Sequence, residues 1–291
     1  MRYRPPEESR ESGYDWITVV LALASGSLAS RVTDALVSGG WTDPGSQSAA
    51  VSTRLADEFG AGRGSIVALF EGDAGRSLPE AQQAKLKRAL DECGVAPGQR
   101  LLEIGCGWGA LAEAAAAERG ARVTGVTLSR EQLSFARARL AAAGVAAPAD
   151  LRLQDYRDIA DAPFDAIVSI EMFEAVGREY WRDFFATVRD RLKPGGRACI
   201  QSITIRDDLF DRYVRGTDFI QQYIFPGGLL PSPSQFRAHA AAAGLEVINE
   251  LAFGGDYART LRLWRERFSA EEAAVRTLGF DRRFIRTWDF Y

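Results

Sequence analysis

The chain has 291 residues, of which 46% are hydrophobic, and a formal net charge of -3. This is enough apolar material for one large domain or for one domain with an extension. The slightly acidic balance supplies no global basic field, which argues against nucleic acid as a partner. The three cysteines are an odd number without CxxC spacing, so we expect neither a disulfide framework nor a zinc site, and a cytoplasmic location fits best.

Residues 1–75 differ in character from the rest and are interpreted as an atypical N-terminal extension. The apolar run that begins at Trp16 is interrupted by Ser25 and is too short for a bilayer, which needs roughly 20 apolar residues. The acidic residues before it are unlike the cationic start of a signal peptide. The stretch "SGGWTDPGSQS", with "FGAGRGSIVALFEGD" after it, makes residues 14–74 resemble a fragment of an MmpL-like RND lipid exporter.

Residues 76–291 alternate strands with helices, which predicts an α/β domain with a doubly wound, mostly parallel sheet. A helix is expected over 79–93 and another between Gly109 and Gly120. An apolar insert over 206–233, with "FIQQYIFPGGLLPS", suggests a substrate pocket. A helix over 234–243 and arginine-rich helices from Tyr257 follow. Strands are expected at 100–105, 122–128, 149–155, 164–171, 196–205 and near 245–252.

The central motif is a glycine loop between a buried strand and a helix. It is formed by Glu103, Gly105, Cys106, Gly107, Trp108 and Gly109. A dinucleotide site has GxGxxG and an acidic residue at the end of the next strand, whereas this loop is GxGxG and the next strand ends in "GVTLS". The carboxylate before the loop favours a cationic ligand without phosphate, and S-adenosylmethionine (SAM) has that polarity. A tight turn without a ligand is the alternative.

Two residues invite a different interpretation of the loop. Cys106 lies inside it and has the chemistry of a nucleophile, but the only histidine, His239, is on a distant alanine-rich helix. We expect His239 to have a surface or packing role. A Cys–His hydrolase is therefore not expected.

The segment from "EAQQAKLKRALDECGVAPGQRLLEIGCGWG" through "FDAIVSIEMFEAVG", "YIFPGGLLPS" and "FGGDYARTL" to "FDRRFIRTWDFY" resembles the cyclopropane-fatty-acyl-phospholipid synthase family, which includes the mycolic acid cyclopropane synthases. The resemblance covers residues 76–291. It implies a class I SAM-methyltransferase (Rossmann-like) fold and SAM-dependent methyl transfer to the double bond of an unsaturated fatty acyl lipid, giving a cyclopropane or a methyl or methylene branch.

The resemblance also implies site residues. The glycine loop, Cys106 and Trp108 included, would hold the methionine end of SAM, and Thr127 and Gln132 would lie at the ribose. Gln154 and Asp155 would lie near the adenine. Each follows the carboxyl end of a strand, where ligands of open α/β sheets bind. For Thr127 and Gln132 the other interpretation is capping of a helix that begins after Ser129, and both can hold.

Catalytic residues are implied at an anion site, where the family holds bicarbonate. Glu174 would help to hold this anion beside the alkene, Tyr257 would contact it, and Ile203 is retained in the fifth strand. A base is required because ring closure removes a proton from the newly added methyl. The alternative role of Glu174 is a helix N-terminal cap.

Several positions depart from the family pattern. Gln201 stands where the family has a histidine, and glutamine accepts no proton near neutral pH. Glu171 stands where the family more often has a small residue. The family's N-terminal lid has no recognisable equivalent before Ser77, and its last helix and strand would follow Tyr291. The run 64–72 is a conceivable substitute for that strand.

Two hypotheses compete with the lipid-alkylating enzyme. One is a weak or inactive SAM- and lipid-binding remnant of a synthase, and the other is a generic small-molecule methyltransferase. Residues 259–286 carry eight arginines against four acids, which indicates either a peripheral contact with an anionic membrane surface at the inner face or a solvated helix face. The aromatic run Phe219, Tyr223 and Phe225 is interpreted as an acyl-pocket wall rather than as core.

Overall fold

The computed structural model describes residues 77–277 and 279–291. The N-terminal extension, its exporter-like stretch and the run 64–72 lie outside the described residues. Within the described part of the chain, no helix combines the length and the hydrophobicity that crossing a membrane requires.

A parallel sheet forms the centre of the domain, as the alternating pattern predicts. Its strand order is β3-β2-β1-β4-β5. The chain runs outward from β1 to β3 and then returns to place β4 on the other side of β1. Such a reversal opens a crevice at the carboxyl ends of the central strands. The strands are β1 (Arg100–Ile104), β2 (Arg122–Thr127), β3 (Ala149–Leu153), β4 (Phe164–Ile170) and β5 (Leu192–Gln201).

Helices cover both faces of the sheet. The first and third begin with serine caps: Ser77 forms a capping box with Glu80, and the Ser129 hydroxyl accepts from the backbone N–H of Gln132. The helices are α1 (Leu78–Glu92), α2 (Ala110–Arg119), α3 (Arg130–Ala142), α4 (Trp181–Arg191), α5 (Asp207–Val214), α6 (Pro233–Ala242), α7 (Gly254–Ala270), α8 (Glu272–Thr277) and α9 (Arg282–Phe290). Short 3-10 turns lie at Tyr156–Asp158, Phe173–Ala175 and Arg178–Tyr180, and a π turn lies at Ile220–Ile224.

The core has two layers, because the inner strands β1, β2 and β4 are buried on both faces. Leu101 points into the first layer, where the alanines of α2 let this helix lie close to the sheet. Leu102 and Ile104 point into the second, which is dominated by aromatic rings. His239 packs here, with its ring 5.6 Å from that of Trp181, in agreement with the expected packing role.

Two sequence expectations about strands were wrong in detail. The fifth strand begins at Leu192 rather than near residue 196, because an irregularity between Phe164 and Ala166 of β4 shifts the register. A Cβ on Gly196 would lie 2.8 Å from the carbonyl oxygen of Asp165, so glycine permits this close approach. The predicted strand near 245–252 does not form, and Ala252 is only an isolated bridge.

Candidate active site

The glycine loop leaves β1 in a backbone conformation that side chains disfavour. Gly105, Gly107 and Gly109 have φ values of +84°, +48° and +79°. The backbone N–H groups of Gly105 and Cys106 both donate to the carbonyl of Val126, at 3.0 and 2.9 Å, which ties the loop to the end of β2. The loop is therefore held from one side.

Space around the three glycines differs. A Cβ on Gly109 would lie 2.8 Å from the Cβ of Ala136, and one on Gly105 would lie 2.8 Å from the Cγ of Met172. A Cβ on Gly107 would meet no atom within 4 Å. Gly105 and Gly109 are thus required by packing, whereas the backbone at Gly107 faces open space that a ligand can approach.

Glu103 is the polar feature nearest the loop. Its side chain is buried, and Oε2 has no hydrogen-bond partner among the described residues. Burial raises the pKa of this carboxyl well above its usual range, and only a backbone hydrogen bond from Ala112 counteracts it. A buried, unsatisfied carboxyl is costly, and a cationic ligand in the crevice would compensate it.

Cys106 does not serve as a nucleophile. Burial, and then the nearby Glu103, raise the pKa of its thiol to about 12, so the reactive thiolate is absent near neutral pH. A Cβ on Gly125 would lie 3.0 Å from the Cβ of Cys106, so the cysteine fills space beneath β2. Trp108 is half-buried, and its ring meets that of Phe135 edge-on at 5.3 Å.

The ends of β2 and β3 bring the remaining expected cofactor residues together. The Thr127 hydroxyl lies 3.1 Å from Oε1 of Gln132, while Ser129 caps the helix that carries Gln132. The capping interpretation is therefore confirmed at Ser129, and a contact of Thr127 and Gln132 with the ribose stays a prediction. The backbone N–H of Gln154 donates to the carbonyl of Thr127 at 3.0 Å, and the carboxylate of Asp155 is held by the guanidinium of Arg157 at 2.6 Å.

A second polar cluster lies at the carboxyl ends of β4 and β5. Glu171 is its centre, with Nε2 of Gln201 at 2.5 Å from Oε1 and the Tyr257 hydroxyl at 3.4 Å from Oε2. The ammonium of Lys85, whose side chain is only 13% exposed, lies 3.5 Å from Oε1. Three donors thus converge on one carboxylate. Among the described non-glycine residues, Glu171 alone has a positive φ, at 51°.

Glu174 occupies a different environment only three residues later. Its Oε1 accepts a short hydrogen bond from the backbone N–H of Ile203, and its Oε2 is buried without a partner. Burial, opposed by the hydrogen bond from Ile203 and reinforced by the nearby Glu171, raises the pKa of this carboxyl to about 8. Glu174 is therefore largely neutral at pH 7. Ile203 lies just after β5 rather than in it, and its contact with Glu174 is not the helix cap that the sequence left open.

Two aromatic residues complete this cluster. Burial, Glu171 and Tyr291 raise the pKa of Tyr257 well above its usual range, so its hydroxyl remains a donor. Burial and the two glutamates likewise raise the pKa of Tyr291. Sequence reasoning missed Tyr291, although it ends a motif that carries the family resemblance, and it missed Lys85, for which the sequence gives no signal.

The two clusters form one site. Met172, which crowds Gly105 of the glycine loop, lies between the two glutamates in the chain. The apolar insert closes over it, since Leu229 donates its N–H to the carbonyl of Glu174 at 2.9 Å. The crevice therefore contains both the buried carboxyl of Glu103, which suits a cation, and the carboxyl pair of Glu171 and Glu174.

The aromatic run of the insert is partly exposed. Tyr223 and Phe225 are each 42% exposed, and the ring of Phe219 lies 4.4 Å from that of Phe290. Phe219 and Phe290 also line a groove of about 640 Å³, whose other residues are Arg282, Arg283, Arg286 and Thr287. The groove therefore has aromatic and cationic walls.

Comparisons with known proteins agree with this geometry. The family model described as mycolic acid cyclopropane synthetase matches residues 66–291. Tuberculostearic acid methyltransferase of Mycobacterium tuberculosis is 44% identical over 215 residues, which are 74% of this chain and 50% of that protein. Cyclopropane-fatty-acyl-phospholipid synthase of Escherichia coli is 39% identical over 216 residues, which are 74% of this chain and 53% of that protein. The chain thus spans about half the length of these curated relatives.

Solved structures support the same relationship. A cyclopropane synthase from Mycobacterium tuberculosis superposes with a TM-score of 0.69 at 29% identity, covering 77% of this chain and 80% of that one. A mycolic acid cyclopropane synthase complexed with SAH and CTAB has a TM-score of 0.68 at 29% identity, covering 84% and 91%. These comparisons do not support the exporter-like resemblance of residues 14–74. The chain therefore belongs to the mycolic acid cyclopropane synthetase family and has the Rossmann-like fold of class I SAM-dependent methyltransferases.

Proposed function

We propose that this protein transfers a methyl group from SAM to the double bond of an unsaturated fatty acyl chain carried by a phospholipid. The observation that carries the proposal is the carboxyl pair Glu171 and Glu174 beside the glycine loop, connected to it by Met172. Methylation of an alkene creates a positive carbon, and an electrostatically matched site needs negative charge and a proton acceptor close to it.

The loop residues fit SAM. Glu103 would face the positive methionine end, the open backbone at Gly107 would accommodate it, and the linked pair Thr127 and Gln132 would meet the ribose. Bound in this way, SAM supplies an electrophilic methyl group and leaves as SAH. Gln154 and Asp155, at the end of β3, would border the adenine.

The insert and the C-terminal helix would receive the lipid. Half-exposed aromatic rings at Tyr223 and Phe225 offer an apolar surface to an acyl chain. Arg282, Arg283 and Arg286 line the neighbouring groove, and none of them forms an ion pair with a described residue. Guanidinium groups bind phosphate through paired hydrogen bonds, so we assign this groove to an anionic headgroup at a membrane surface.

The decisive experiment is transfer of labelled methyl from SAM to unsaturated, anionic phospholipid vesicles. We expect label in the acyl chains, none with saturated vesicles, and analysis of the product to distinguish a ring from a branch. A triple change of Arg282, Arg283 and Arg286 to glutamine should weaken vesicle binding without weakening SAM binding. SAM binding without any label in lipid would instead support the binding remnant. Label in small molecules but not in lipid would support a generic methyltransferase.

A further inference from the structure

The two residues that depart from the family pattern in the site are in direct contact. Gln201 stands where a histidine is expected and Glu171 where a small residue is expected, and Nε2 of Gln201 lies 2.5 Å from Oε1 of Glu171. The backbone adds a second link, since the N–H of Glu171 donates to the carbonyl of Gln201 at 3.0 Å. The departures therefore form one structural unit.

Bicarbonate, which the family resemblance implies, does not fit this unit. An anion needs hydrogen-bond donors, and the three at the expected positions are already engaged. Ile203 donates its N–H to Glu174, and Gln201 and Tyr257 donate to Glu171. Oε1 of Gln201, which is left without a partner, accepts hydrogen bonds and donates none, so it offers nothing to an anion.

Glu171 is held in this position against a backbone cost. A non-glycine residue at φ 51° has a strained backbone, and such strain concentrates at functional sites. Glycine at this position would be free of that strain, because it has no Cβ. The side chain is held by its partners on α1, β5 and α7, namely Lys85, Gln201 and Tyr257.

The two glutamates have unequal surroundings. Glu171 faces an ammonium, an amide N–H and a phenol O–H, whereas Glu174 receives one backbone N–H and is otherwise buried. The cation and the side-chain donors therefore lie on Glu171 rather than on Glu174. Two carboxyl groups with such unequal surroundings are a recurrent arrangement for dividing acid and base roles.

We propose that the Glu171 carboxylate occupies the position of bicarbonate in this protein and is itself the proton acceptor. This inference rests on the proposed function. The alkene π electrons form the new carbon–carbon bond as the C–S bond breaks, its electrons stay on sulfur, and the neighbouring carbon becomes positive. Glu171 then takes a proton from the new methyl, and the released C–H pair closes the ring or, after a 1,2-hydride shift, forms a methylene branch. The proton passes from Glu171 to water.

The test compares wild type with Glu171→Gly and Glu171→Gln, using Glu118→Gln on the exposed side of α2 as the control. Each is assayed with SAM and unsaturated vesicles in carbon-dioxide-depleted buffer and with added bicarbonate. Wild type and the control should be indifferent to bicarbonate. Both Glu171 variants should lose about 10²–10⁴-fold in turnover, the usual contribution of a positioned base. Glu171→Gly should recover part of it with bicarbonate, because it opens the site, whereas Glu171→Gln should not.

A binding measurement separates this inference from the proposed function. Titration with ¹³C-labelled bicarbonate, followed by NMR, should show binding to Glu171→Gly but not to wild type, and SAM affinity should be equal in both. If wild type labels no lipid, the proposed function fails, and the bicarbonate titration still decides the role of Glu171. Bicarbonate binding by wild type, bicarbonate-dependent wild-type turnover, or a Glu171→Gln rate within twofold of wild type would each overturn the inference.

Discussion

Binding of SAM should release a proton from Glu103. This carboxyl is buried and unpartnered, and its pKa is raised by burial, so the free protein holds it protonated above pH 4.5, where an exposed glutamate is ionised. A cationic ligand beside it favours the ionised form. Below the pKa in the free protein, the Kd for SAM should therefore fall by up to about tenfold per pH unit, equivalent to about 1.4 kcal/mol.

Isothermal titration calorimetry between pH 5.5 and 7 measures this effect, because the amino group of SAM titrates above that range. Paired buffers with different ionisation enthalpies give the number of protons released, which should approach one at the acidic end. Glu103→Gln should bind SAM more weakly near pH 7 and show no dependence on pH, while Glu118→Gln should behave as wild type. A wild-type Kd that is constant across this range, or a Glu103→Gln variant with the wild-type slope, would refute the reasoning.

Three further predictions concern single residues. Unfolding by urea should show stability falling as the pH rises from about 4.5 to about 8, with at most about 5 kcal/mol of the fall due to Glu174, because folded Glu174 keeps a proton that the unfolded chain loses. Glu174→Gln should remove this part and leave the part due to Glu103, and an unchanged slope would contradict the assignment. Gly109→Ala should destabilise the fold by about 1–3 kcal/mol, because its new Cβ clashes with Ala136. Gly107→Ala should cost less stability and weaken SAM binding more, because the space beside Gly107 is open to a ligand. Thermal unfolding and SAM-binding assays that rank the two variants the other way would contradict this difference. Native protein should leave Cys106 unlabelled by a thiol reagent at pH 8, since burial raises its thiol pKa to about 12, and labelling before unfolding would disprove this.

The sequence predicts the sheet and the glycine loop because both depend on local signals. Buried strands appear in the sequence as short apolar runs, and Gly120 and Ser129 mark the end of one helix and the start of the next. The predicted bounds of the elements up to β4 are therefore correct within about two residues. The fifth strand was misplaced because its pairing partner shifts register beside Gly196, and register is not a local property. The apolar run near 245–252 has no such partner, and hydrophobicity alone does not make a strand.

The contacts of the carboxyl cluster were beyond sequence reasoning for a related reason. Glu171 and Gln201 are 30 positions apart and become neighbours only because Ile170 of β4 pairs with Gln201 of β5 in the parallel ladder. Had this strand register been known, Glu171, which follows Ile170, would have been expected beside Gln201.

The contact also explains why the two departures belong together. A small residue at position 171 would leave the buried amide of Gln201 without its acceptor, at a cost of about 1–3 kcal/mol, since both Nε2 and Oε1 would then lack partners. Conversely, a glutamate at position 171 without Gln201 would lose its shortest hydrogen bond and keep its strained backbone. Each departure taken singly weakens the site, and together they supply a fixed carboxylate where the family pattern implies a bound anion. Loss of a histidine from this position therefore does not mean loss of a proton acceptor, because the acceptor role passes to the residue that Gln201 holds.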